Sequence, residues 1–242
     1  MAKSTPPASN GASGTAITTN RPDRDDQTQA TAAGEEQPAS MMRSMARQLR
    51  PAILLTLLLA LIVGVIYPLA VTAIGQTAFS SQANGSIVYV NGKPVGSKII
   101  GQYWTQSNYF HGRPSATNNL QGTPSPYQAD NSSASNLGPT NSTLIKTVAQ
   151  RTADLKAENP DVPAGTQVPV DLVTASGSGL DPDISVAAAY YQIPRVAKAR
   201  NLSQETVRNI VDAHIQGRFL GLFGEPRINV LELNMALDAA SH

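Results

Sequence analysis

Cysteine is missing from all 242 residues, so no disulfide framework can hold this chain and its core must rest on packing alone. Histidine is scarce. His111, His214 and His242 are the three, and their spacing fits no metal-ligand pattern. His214 falls on the apolar face of a helix-period segment and reads as core. A phosphate-binding P-loop is absent too: Gly92-Lys93 lacks the upstream glycine and the following Ser or Thr. No Cys–His or Ser–His–Asp grouping can be assembled. Net charge is +1, and from Gln76 to His242 basic and acidic residues balance at twelve each. Nothing in that balance points to nucleic acid. These absences argue against a catalyst acting on its own; no catalytic residue, metal ligand or confidently bound cofactor is expected.

What the sequence does have is one long apolar run, Ala52 to Ile74, without a charge. At ~1.5 Å per residue its helix is about 35 Å long, enough to cross a hydrocarbon core of roughly 30 Å with some tilt. A buried core helix and a cleavable signal peptide (with Val71-Thr72-Ala73 as its cleavage site) are the rival readings. The run is long for the first and begins too far into the chain for the second. Arg43, Arg47 and Arg50 precede it and the first charge after it is Lys93. Such asymmetry puts the N-terminus in the cytoplasm and the chain beyond Gln76 outside. Within the span, Thr56, Ala60, Gly64, Pro68 and Thr72 recur every four residues. Small residues let backbones approach, so Ala60, Gly64 and Pro68 are the candidate contact row for a partner helix. Pro68 removes one backbone hydrogen bond and predicts a kink near Gly64.

The expected organisation follows: a disordered cytoplasmic tail over 1–40, too polar to offset ordering entropy; a basic juxtamembrane segment, 41–51; the transmembrane helix, 52–74; and an extracytoplasmic domain, 76–242. Met41 or Met42 could also serve as an internal start. The fold class is α+β, a single N-terminal transmembrane helix followed by one mixed α/β domain. After a polar stalk, Asn91-Gly92 between apolar runs predicts a hairpin over 87–100, with Pro94 on an edge. Gly101 to Pro139 is polar and turn-rich, a long ordered surface loop pinned at its start by Tyr103, Trp104, Tyr109 and Phe110. Apolar spacing predicts a helix from Ser142 to Asn159 and a short strand over Val168–Val173. Asp181-Pro182 reads as the start of a helix that breaks or kinks at Pro194 and continues to Arg200. Ser203 caps the next helix and Asn229 the last.

One site reads two ways. The glycine-rich stretch Ser176, Gly177, Ser178, Gly179, Leu180, Asp181 could cradle an anion on backbone N–H groups, or could be a tight connection that needs glycine for its shape. No lysine is near, and Asp181 and Asp183 add negative charge, which favours the connection.

Six stretches together carry a resemblance. They are Tyr67-Pro68-Leu69 ending the span; Tyr109-Phe110-His111-Gly112-Arg113-Pro114-Ser115-Ala116; Ser135-Asn136-Leu137-Gly138-Pro139-Thr140-Asn141; Val173 through Pro182; Pro194 through Arg200; and Asn229-Val230-Leu231-Glu232-Leu233-Asn234. In this order, over about Arg50 to Asp238, the chain resembles the C-subunit family of the Kdp potassium-transporting ATPases. The resemblance implies a bacterial inner-membrane complex that takes up potassium with ATP. Its implied partners are a potassium-binding channel-like subunit, a P-type ATPase subunit and a small single-helix subunit. ATP and potassium are handled by the complex. The family's C subunit is needed for assembly and is described as a catalytic chaperone that raises the ATPase subunit's affinity for ATP. That description sits awkwardly with the charge asymmetry, because ATP is cytosolic and Ser176–Asp181 is expected outside. His111 and Arg113 are the expected contact residues of the long loop. Arg113 has an equal alternative, pinning the loop to its own domain. The alternative function is a membrane-anchored extracytoplasmic binding module unrelated to transport.

Overall fold

The computed structural model describes residues 38–240, with side chains from residue 41. The disorder expected for the tail lies outside the described residues, save that Pro38–Ser40 are already helical. Two units part between Pro68 and Leu69.

The described part of the first unit is helical. Helix α1 spans Pro38–Leu61 and passes into a π-helical turn, Ile62–Ile66. Met41–Ala78 is long and apolar enough to cross a membrane, and none of its most apolar window is buried within the chain. The helix therefore begins earlier than the expected Ala52. Apart from Ser44, Met41–Arg50 is made of good helix formers, Met, Ala, Arg, Gln and Leu, and they carry the helix across Pro51. Where a kink is expected, the helix forms the π turn. Pro68 has no N–H to bond the Gly64 carbonyl, and the Tyr67 N–H reaches back five residues to Ile62 O. Such a turn is wider than 3.6 residues, so across it a four-residue repeat falls short of a full turn and offsets the overshoot that the α-helix gives.

The second unit begins within α2, Tyr67–Ala78. The expected polar stalk is largely helical: α2 runs to Ala78 and the short α3, Ser80–Ala83, follows. Asn84 donates to Gln76 Oε1 at 3.0 Å and fastens the two. Strands β1, Ile87–Val90, and β2, Lys93–Ser97, form the predicted antiparallel hairpin. Asn91 and Gly92 both have positive φ, 50° and 76°, as a two-residue turn of this hand requires.

Helix α4, Ser142–Glu158, starts where Asn141 accepts from Thr143 N and stops before Pro160. The strand expected over Val168–Val173 is instead a 3₁₀ turn, Val170–Leu172. Among the described residues no strand pairs its backbone with this segment, and the Asp171 side chain instead accepts from Ser185 N and Ser185 Oγ. The helix expected at Asp181-Pro182 also begins later. Asp183–Ser185 is extended as β3 and pairs antiparallel with β4, Arg227–Asn229. Ser185 then caps α5, Val186–Arg200, by accepting from Ala188 N. Asp181 caps only a local turn, accepting from Asp183 N. Helix α5 runs unbroken through Pro194, because Ile193, Arg195, Val196 and Ala197 around it are packed into the core. Helix α6, Gln204–Ala213, is capped by Ser203 as expected, and His214 ends it half-buried, its Nδ1 2.7 Å from Ile210 O. Helix α7, Val230–Ala240, starts where Asn229 Oδ1 accepts from Glu232 N.

With two small antiparallel pairs and helices around them, the unit is α+β. Its core is formed by Ile193 and Val196 of α5, Val207 and Val211 of α6, and Leu233 and Leu237 of α7. Phe110 of the long loop is inserted among them, wholly buried.

Candidate functional site: a clamped loop

Residues 101–139 contain no helix and no strand, yet the loop is held from several sides. Two buried amides each grip its backbone in both directions. Asn234 of α7 accepts from Phe110 N at 2.8 Å and donates to Phe110 O at 3.0 Å. Gln192 of α5 accepts from His111 N at 2.8 Å and donates to His111 O at 3.2 Å. Each side chain thus stands in for the neighbouring strand that this segment lacks, meeting the buried backbone's need for partners.

Arg195 completes the clamp. It donates from Nη1 to Ser107 O at 2.6 Å and Tyr109 O at 3.0 Å, from Nη2 to Gln192 Oε1, and from Nε to Asn159 Oδ1. Burial draws its pKa down to about 10, so it stays charged near neutrality. Arg200 adds a bond to Asn108 O, an ion pair with Asp238 at 2.7 Å and a stacking contact over the Tyr109 ring. Neither Gln192 nor Arg195 was singled out from the sequence. The signal was there: a glutamine and an arginine at positions that helical spacing places inside.

His111, expected at an interface, points into the domain. Its Nε2 lies 3.0 Å from the Gln106 carbonyl, which can only accept, so Nε2 carries the proton. Nδ1 is 3.7 Å from Glu158. Burial first, and the charge of Arg195 second, lower its pKa below the usual histidine value. Arg113 turns its Nη1 to Asp181 Oδ2 at 3.0 Å, while its carbonyl accepts from Tyr127 OH at 2.7 Å.

The glycine-rich stretch packs on this same loop. Gly179 N donates to Ser176 Oγ and Leu180 N to Ser178 Oγ. Ser178 O accepts from Ser133 N and Ser132 Oγ, and Gly101 N donates to Leu180 O. Gly179 has φ +70°, and a Cβ there would collide with Thr117 and the Ser133 carbonyl. Glycine is needed for both backbone shape and close approach. Ala60, Gly64 and Pro68 all lie exposed on the long helix, with nothing within 4 Å of where a Gly64 Cβ would stand.

One surface feature went unread in the sequence. Phe219 and Phe223 exchange both backbone hydrogen bonds, and the tip between them leaves Phe219, Leu220, Leu222 and Phe223 between 60% and 78% exposed. Arg218 grips Glu225 with a two-pronged ion pair at its neck. Leu220 and Gly221 both have positive φ, so an apolar side chain occupies a strained turn position that asparagine would fill more easily.

Comparison with known proteins bears on these same segments. Residues 49–239 match the family described as KdpC: K+-transporting ATPase, c chain. Among curated relatives, a potassium-transporting ATPase KdpC subunit of Rhodopseudomonas palustris (strain BisB18) is 54% identical over 202 residues, covering 81% of this chain and all of the relative. Proteins of the same description from Bradyrhizobium diazoefficiens and Methylobacterium nodulans are each 52% identical, over 203 and 200 residues. Those matches cover 81% and 80% of this chain and 99% and 98% of the relatives.

Proposed function

The chain belongs to the KdpC family, the c chain of potassium-transporting ATPases, and from that premise we propose that it is the non-catalytic subunit that holds the uptake complex together. The observation that carries this is the pairing of family membership with one apolar helix whose most apolar window is not buried by any of the described residues. Such a helix anchors the subunit in the inner membrane and offers Ala60, Gly64 and Pro68 to a helix of a partner. The partners are the potassium-binding channel-like subunit, the P-type ATPase subunit and the small single-helix subunit.

The arginine cluster before the span supports a cytoplasmic N-terminus and an extracytoplasmic domain. That domain docks on the outer side of the potassium-binding subunit, through the exposed part of the loop Tyr109–Thr140 and the apolar tip Phe219–Phe223. Covered by a partner, an exposed tip of this kind makes a good anchor, since aromatic and aliphatic knobs contribute most when fully desolvated. The subunit raises the ATPase subunit's affinity for ATP through these contacts rather than by touching nucleotide. What supports this is the glycine-rich stretch, where Gly179 N and Leu180 N are engaged by Ser176 and Ser178.

The test is omission. Cells making the other subunits without this chain should fail to grow at low potassium, and purification by a tag on the ATPase subunit should yield no stable complex. Growth and assembly at parental levels would overturn the proposal.

A further inference from the structure

Helix α1 carries Met41–Arg50 ahead of the charge-free run, and the surface of this extension is divided. At about 100° per residue, Arg43, Arg47 and Arg50 fall within a stripe roughly 60° wide. Met42, Met45 and Leu49 lie on another face, roughly 120° away, which runs on into Ile53, Thr56 and Ala60. All of Met41–Arg50 is exposed. Among the described residues no ion pair holds any of the three guanidinium groups. The first acidic residue after Met41 is Asp130.

Depth along the helix says what can answer that charge. Counted from Ala52, Arg50 stands about 3 Å out along the axis, Arg47 about 7–8 Å and Arg43 about 13–14 Å. The headgroup layer is roughly 5–8 Å thick on each side of the hydrocarbon. Arg50 and Arg47 therefore lie within that layer, and Arg43 at its aqueous edge. Residues three apart on a helix are neighbours, with Cβ atoms about 5–6 Å apart, so Arg47 and Arg50 can close on one phosphate. The face of Met42, Met45 and Leu49 continues the row offered to a partner helix. The arginine stripe is turned away from that helix, toward lipid. A zwitterionic headgroup brings its own ammonium, which competes for the phosphate. An anionic headgroup brings no such competitor, and its net charge matches the unbalanced stripe.

We propose that Arg47 and Arg50, with Arg43 behind them, form a site for the phosphodiester of an anionic lipid. It rests on reading this helix as the membrane span and its Thr56–Ala60 face as the partner's. Two guanidinium forks on one phosphate form charge-assisted bonds of fixed geometry, so the position of the arginines matters and not their number alone.

The full chain, purified in neutral detergent, is mixed with phosphatidylglycerol or phosphatidylcholine of equal chain length, and bound lipid is counted by native mass spectrometry. Phosphatidylglycerol should give one saturable adduct that phosphatidylcholine does not. Arg47→Gln with Arg50→Gln should weaken it about tenfold or more, as loss of charged hydrogen-bond donors does. Arg47→Gln with Ser44→Arg keeps the net charge but moves one arginine roughly a quarter turn off the stripe; it should weaken the adduct as much as Arg47→Gln alone. Melting followed by emission of Trp104, the sole tryptophan, should be unchanged in each variant. The assembled complex should carry phosphatidylglycerol that the double variant's complex loses. Equal binding of the two lipids would overturn the proposal, as would undiminished binding by the relocated-charge variant, which means attraction by charge count alone. Competition by inorganic phosphate at matching concentration would assign a free anion instead, and equal lipid on the parental and double-variant complexes would assign the arginines to a partner's acids; both refute the lipid site. Alkaline extraction from phosphatidylcholine vesicles checks the membrane reading separately. A chain retained there without preference for phosphatidylglycerol refutes the lipid site alone, and a chain released refutes both.

Discussion

Replacing Arg195 by methionine tests how the long loop is held. Methionine keeps much of the volume and removes every donor. Four acceptors lose a donor: the carbonyls of Ser107 and Tyr109, Asn159 Oδ1, and Gln192 Oε1, which keeps its bond from His111 N. Arg195 is 6% exposed, so water cannot readily replace the guanidinium. Each hydrogen bond to a charged group contributes about 1.5–3 kcal/mol, and such contributions do not add fully. Removing the cost of burying a charge offsets part of the loss. A net destabilisation of about 3–5 kcal/mol remains, a large share of the ~5–15 kcal/mol that holds a typical domain. For a unit of this size the melting temperature should fall by on the order of 10 °C. Lysine should recover about half, since it keeps the charge but not the planar fork. The assay is thermal unfolding of the detergent-solubilised full chain followed by Trp104 emission. That ring lies 4.7 Å from Tyr109, whose carbonyl Arg195 holds, so the probe sits beside the perturbation. If Arg195→Met melts like the parent with unchanged emission, the clamp contributes nothing and the reasoning fails.

Three further outcomes are expected. Gly64→Leu should loosen the complex in detergent while Val63→Leu should not, because only the first fills a close helix approach; co-purification yields of the two variants decide it, and equal yields would remove the contact row. A reporter active only outside the cytoplasm, fused after His242, should work, and a cytoplasm-only reporter should be silent. His111 has a lowered pKa in the folded chain, so the unfolded chain takes up its proton first as pH falls. Stability should therefore decline from about pH 6.5 downward toward the folded value, and His111→Gln should flatten that decline in melting curves taken at successive pH values.

Local signals in the sequence were reliable where the local code is strong. Asn91-Gly92 made its turn, Asn141, Ser203 and Asn229 capped their helices, and the charge-free run became one long helix. Misreadings came where a distant partner decided the outcome. Asp181-Pro182 has the chemistry of a helix start, but pairing of Asp183–Ser185 with Arg227–Asn229 keeps that segment extended. Val168–Val173 has strand composition, but among the described residues no strand pairs with it and its contact with Ser185 is made by the Asp171 side chain, so it turns. For Arg113 the sequence left two roles open, contact with a partner or pinning the loop to its own domain, and for His111 a contact role. The folded chain brings both side chains to partners within the domain, Gln106 and Asp181. The amides of Asn234 and Gln192, which grip that loop, lie 124 and 81 residues along the chain from what they hold, a distance no local pattern encodes.

The central claim is that this chain is the assembly subunit of a potassium-transporting ATPase, and one pull-down tests it. With an affinity tag on this chain, expressed with its neighbours and solubilised in mild detergent, the account predicts recovery of the channel-like and ATPase polypeptides in fixed ratio with potassium-stimulated ATP hydrolysis. Recovery of the chain alone, from cells whose potassium-dependent ATPase is fully assembled and active without it, would contradict the account.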